Sequence, residues 1–107
     1  MPVRMSKDWE PIGHALGRLK GQMGVFELGD ANGQVIFIGY AGGKSLHGLR
    51  GEVAAKSEEL DAARIVRTEV TTAYMTRYRE LLMVHQADHG RLPEANPDIK
   101  LGRLSPA

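Results

Sequence analysis

The spacing of apolar positions changes along the chain, and the changes mark out its elements. After a polar lead-in, Ile12, Leu16 and Leu19 recur at helical spacing, which predicts a helix from Asp8 to about Lys20, with Asp8 as its cap and Pro11 in its first turn. Gly21 ends that pattern. Two short apolar runs follow, Met23 to Gly29 and Gln34 to Tyr40, and the "DANG" between them holds Asn32-Gly33, the strongest short-range hairpin signal. "AGGKS" interrupts the pattern again, and Ser45 is placed to cap a second helix over Leu46 to about Leu60. The alternating, β-branched stretch from Ala63 to Val70 predicts a third strand, with a helix there as the alternative. From Thr72 to His89 the period is helical: Tyr74, Tyr78, Leu81, Leu82 and His85 share one side, and Gly90 stands where the helix must stop.

The element order α-β-β-α-β-α predicts an α+β domain, a small antiparallel three-stranded sheet flanked by helices. A chain of 107 residues with 42% hydrophobic content supplies one core, so 1–107 is expected to be a single domain with its core over about 23–96. Residues 1–7 and the tail 97–107 are expected to be flexible. Fourteen Lys plus Arg against thirteen Asp plus Glu leave a formal charge of +1, which excludes a broadly basic nucleic-acid binder and confines any such contact to a local patch. Without cysteine there is no disulfide framework and no thiolate metal site. No stretch reads as a signal peptide or a bilayer span, so a cytoplasmic protein without membrane partners is expected.

A two-residue turn at Asn32-Gly33 would pair Ala31 with Gln34 and set Leu28 opposite Phe37 and Phe26 opposite Gly39. Both phenylalanines then share a face, with open space beside Phe26 where Gly39 lacks a side chain. A three-residue loop with a bulge would separate them. In an arbitrary hairpin, Phe26, Leu28 and Phe37 are simply core residues.

"GVF", ten residues, then "FIG" resembles the opening of the GIY-YIG nuclease family, whose two short strands carry the motif tyrosines. The resemblance continues with Arg50 in "GLRGEV", Glu80 in "RYRELL" and Pro93-x-x-Asn96, and spans Gly24 to Asn96 in the family's element order. It implies a catalytic surface at positions 26, 37, 50 and 80, with Arg50 on the phosphate and Glu80 holding Mg²⁺ or another divalent cation. Phe26 and Phe37 depart from the pattern, since a phenyl ring has no proton to give or take. The resemblance therefore implies a noncatalytic nucleic-acid-binding or vestigial nuclease module for DNA or RNA, contacting its ligand through Lys44, Arg50, Arg77, Arg79 and Asn96. An active metal-dependent endonuclease using Glu80, Arg50 and His47 as base is the alternative. A protein-interaction or homodimer scaffold is a second.

Each candidate also has a plain structural explanation. His47 reads equally as an exposed helix-end histidine, and Glu80 as the partner of Arg77 in a surface ion pair. His85 and His89, four apart beside Asp88, have the spacing of two zinc ligands, yet the helix dipole accounts for histidines at that end. Trp9, Tyr74 and Tyr78 suit base stacking or ordinary packing. Convergence of Arg50, Glu80 and the Phe26–Phe37 face on one cleft is what the nuclease-derived site requires.

Overall fold

A computed structural model describes residues 4–96. The expected flexible tail, 97–107, lies outside the described residues, as do residues 1–3. The fold is α+β: β1 (Glu10–Pro11), α1 (Ile12–Arg18), β2 (Gly24–Gly29), β3 (Val35–Ala41), α2 (Gly48–Glu59), β4 (Ile65–Val70) and α3 (Tyr74–His89). Among the described residues the strands form one antiparallel sheet in the order β1-β4-β2-β3. It has four strands rather than three, because Glu10 and Pro11 pair with Val66 and Ile65. Proline disfavours helical backbone at the residue before it, so Glu10 is extended and the helix starts after Pro11 instead of at Asp8. No helix among the described residues is long and apolar enough to cross a membrane.

Every residue of β2 is buried, because both faces of the sheet are covered. On one face α1 and α2 press Ala15, Leu19, Leu49 and Val53 onto Phe26, Leu28, Phe37 and Val66. On the other, Leu81 and Leu82 of α3 meet Val25 and Ile38, and Met5 joins them. Part of the expected flexible lead-in is thus held: Met5 is 5% exposed, and Arg4 Nε donates to Asp88 Oδ2 at 2.8 Å.

The hairpin has the expected pairings through an unexpected route. Phe26 does face Gly39 and Leu28 does face Phe37, but Gly29 faces Val35. The connection is a three-residue loop: Asp30 N donates to Gln34 O at 3.0 Å, and Gly33 takes φ +80°. Asp30 Oδ1 organises it by accepting from Asn32 N at 2.9 Å and Gln34 N at 3.0 Å. Such a loop alone would shift the register by one residue. A bulge at Ile36 restores it, two residues of β3 being spent against one step of β2. The two irregularities cancel, so both phenylalanines stay on one face.

Glu10 ties β1 to α1. Its carboxylate accepts from Arg18 Nε at 2.9 and 3.1 Å and lies 2.9 Å from His14 Nδ1, and the Arg18 hydrogen bond, reinforced by His14, lowers its pKa from 4.5 to about 2. The folded value lies below the unfolded one, so this contribution is present above about pH 4.5 and is lost as pH falls through about 2. Glu10→Gln is therefore expected to be less stable than the parent chain at pH 7 and to converge with it near pH 2, as urea unfolding at both pH values will show.

Candidate functional site

The Phe26–Phe37 face opens at the β3 edge into a cleft of about 790 Å³. The two rings stand 5.9 Å apart, tilted by 43°, and line it together. Lys56 from α2 places Nζ 4.8 Å from the Phe37 centroid while also pairing with Glu59 at 3.0 Å. Gly39 leaves no open space: a Cβ there would stand 2.5 Å from Phe26 Cζ and 2.7 Å from Phe37 Cε2. The glycine makes room for the rings rather than for a ligand. Gly39→Ala is accordingly expected to cost about 1–3 kcal/mol through overpacking, read as a lowered melting temperature.

Tyr40 points to the opposite face, as regular strand alternation requires, yet the cleft wraps round the β3 edge and reaches it. Its ring stacks on Tyr74 at 5.9 Å and 17° and meets Tyr78 at 4.8 Å and 56°. The "AGGKS" loop closes this side. Gly42 lies against the Tyr74 ring, Gly43 N donates to Tyr74 Oη at 3.4 Å, and Ser45 Oγ accepts from Gly42 N at 3.0 Å. Ser45 therefore organises the loop and does not cap α2, whose N-cap is His47. The first amides of α2 are taken by backbone instead: Leu49 N donates to Gln22 O at 2.9 Å and Arg50 N to Lys20 O at 3.1 Å. Those amides are unavailable to a phosphate, so Lys44, which lines the cleft, acts there without the helix start.

The expected four-residue constellation does not assemble. With 100° per residue along α2, buried Leu49 and Val53 define its core side; Glu52 lies on one flank of that stripe and Arg50 on the other. The cleft is lined by Glu52 and Lys56, while His47 and Arg50 are exposed and do not line it. Glu80 is also away from it, accepting from Arg77 Nη1, while Arg77 Nε donates to Glu69 Oε2 at 2.9 Å. The Arg77 guanidinium thus holds one oxygen of the carboxylate expected to bind Mg²⁺, on a side chain that does not line the cleft. Arg77 is engaged by two carboxylates, and Arg79 is exposed on the same helix.

Asn96 belongs to the architecture. It is 9% exposed, its Oδ1 accepts from Ile38 N at 2.8 Å and its Nδ2 donates to Ile38 O at 2.8 Å. A single amide thus clasps the edge of β3 at Ile38, and it is buried in that role instead of lining the cleft. His85 and His89 have ring centroids 4.4 Å apart, but His85 Nδ1 lies 2.9 Å from Arg91 O, and Asp88 is taken by Arg4. Among the described residues no three His, Asp or Glu side chains are grouped to hold a metal ion. Trp9 packs against Gly29 and carries Arg67 over its ring at 4.3 Å, and Arg67 Nε donates at 2.8 Å to the buried Glu27. Burial pushes the Glu27 carboxyl above its ordinary pKa, against the pull of Arg67.

Sequence reasoning missed Glu52 and Lys56. Their spacing of four, beside Leu49 and Val53, was the available signal. A family model described as a domain of unknown function, DUF7508, matches residues 1–88. The chain belongs to that family. The DUF7508 match reaches from the lead-in to the penultimate residue of α3 and so includes every residue lining the cleft. No curated protein and no solved structure matches the chain.

Proposed function

We propose that this DUF7508 domain is a noncatalytic nucleic-acid-binding module that holds the phosphate backbone at the β3-edge cleft through Lys44 and Lys56. One observation carries this: two lysines, one from the loop after β3 and one from α2, border the same aromatic-lined cleft beside a single lining carboxylate, on a chain of net charge +1. The chemistry of the lining favours binding over cleavage. Phe26 and Phe37 carry no titratable proton, and Glu52 is the one carboxylate among the lining residues. Burial, reinforced by Tyr40, pushes the Tyr78 hydroxyl above its ordinary pKa, which keeps it protonated and unsuited to act as a base. A degenerate GIY-YIG frame accommodates this proposal, with the ligand contacts moved from Arg50 to the opposite flank of α2.

The test is fluorescence anisotropy with labelled single-stranded and duplex oligonucleotides across a salt series. Binding is expected to weaken as salt rises, and the Lys44→Gln, Lys56→Gln double variant to lose affinity for all sequences, with a log–log salt slope shallower by about 1.5–2. Arg50→Gln is expected to bind like the parent chain. Absence of binding by the parent chain at low salt overturns the proposal.

A further inference from the structure

Exposed apolar surface is concentrated at the cleft. Of the large apolar side chains that stand exposed among the described residues, Tyr40, Leu46 and Met75 all line it, at 37%, 87% and 42% exposure, and only Val70 lies elsewhere. Phosphate contact alone does not call for this. Lysines that meet only a duplex backbone work from a polar surface, because a duplex turns phosphates and base edges outward and keeps its base faces stacked inside. Aromatic rings beside lysines suit a strand whose bases are free to leave the stack.

We infer that the cleft selects single-stranded nucleic acid, with an unpaired base stacking at Tyr40 between the Lys44 loop and Lys56. This rests on the proposed nucleic-acid reading and narrows its ligand class. Tyr40 is the residue best placed for the role, because it is partly open while Tyr74 and Tyr78 brace its ring. The "AGGKS" loop holds that brace: Gly43 N donates to Tyr74 Oη at 3.4 Å, and Ser45 folds the loop back onto Gly42. The platform is therefore built before any ligand arrives, which lowers the ordering cost of binding. A volume of about 790 Å³ lies within the range of small-ligand sites and leaves space for a base and its flanking phosphates. Because every base has a π face, discrimination among sequences should be slight. The shared chemistry is a polyanionic strand with accessible bases, from DNA or RNA.

The experiment compares a 12-nucleotide unstructured strand with a hairpin duplex of equal charge, as DNA and as RNA, by competition anisotropy at fixed salt. The unstructured strand is expected to bind at least about tenfold more tightly than the duplex. Tyr40→Leu, which keeps apolar packing and removes the π face, should abolish that preference, and Tyr40→Phe should retain it. Ultraviolet crosslinking of a 5-iodouracil strand to the parent chain supplies a readout independent of variant folding, with adducts expected at Tyr40, Tyr74 or Tyr78. Equal affinity for strand and duplex, or a Tyr40→Leu variant that is folded and retains the preference, overturns the inference while leaving the nucleic-acid reading intact; adducts only outside the cleft overturn both. Binding to neither ligand overturns both.

Discussion

Gly48→Ala is expected to lower the unfolding free energy by about 3 kcal/mol or more. Gly48 sits at φ +59°, a left-handed conformation that costs an alanine roughly 1–2 kcal/mol. Space is the larger obstacle. An added Cβ would lie 2.2 Å from the carbonyl carbon of Gly21 and 2.4 Å from its Cα and oxygen, all backbone atoms that no rotamer change can move aside. Relief requires separating the 20–22 segment from α2, which also breaks the bonds from Leu49 N to Gln22 O and from Arg50 N to Lys20 O. The same substitution at Gly17, within α1, would place its Cβ in open space with no atom within 4 Å, and is expected to raise stability by up to about 1 kcal/mol. Denaturant midpoints followed by circular dichroism decide both. A Gly48→Ala variant within about 1 kcal/mol of the parent chain would show that the two backbones separate freely.

Asn96→Ala is expected to cost about 2–4 kcal/mol, because it removes two buried hydrogen bonds and leaves the Ile38 N–H and C=O without them. Asn96→Asp separates the two contributions. The carboxylate can still accept from Ile38 N, but it cannot donate to Ile38 O while ionised, and it sets negative charge against a carbonyl. The Asp variant should therefore be destabilised at pH 7 and recover partly when acid protonates the new side chain. Hydrogen exchange at the Ile38 amide is expected to accelerate in the Ala variant. Oligonucleotide affinity per folded molecule should stay unchanged in both. Weakened binding with unaltered stability would return Asn96 to the ligand surface.

These two positions also show how far the chain can be read before it is folded. Gly48 is visible in sequence as a glycine that loosens the start of a helix. That its backbone rests on Gly21, twenty-seven positions earlier, is not visible, because contact across that separation depends on how α1 and α2 are set on the sheet. Asn96 stands out through its spacing from Pro93, and its chemistry fits a phosphate contact as well as an edge-strand clasp. Only the proximity of Ile38, fifty-eight residues away, selects the clasp.

The hairpin is the sharpest case. Asn32-Gly33 marks the turn, and period-two alternation places Phe26 and Phe37 on one face, but Asp30 draws three residues into the loop and Ile36 bulges to compensate. Turn chemistry acts over four or five residues. The bulge is selected by burial of Phe37 and Ile36 against elements far along the chain.

Periodicity and composition act locally, and they suffice for the succession of helices and strands from β2 onward, the near-neutral charge and the shared face of the two phenylalanines. Which flank of α2 meets that face is a matter of packing. Packing brings Glu52 and Lys56 to the cleft, leaves Arg50 and His47 outside it, and adds Glu69 to the Arg77–Glu80 pair that helical spacing already offered. The physical reason is rotational: helical spacing states which residues lie side by side, but the direction they face is set by burial of Leu49 and Val53 against strands that are distant in the chain.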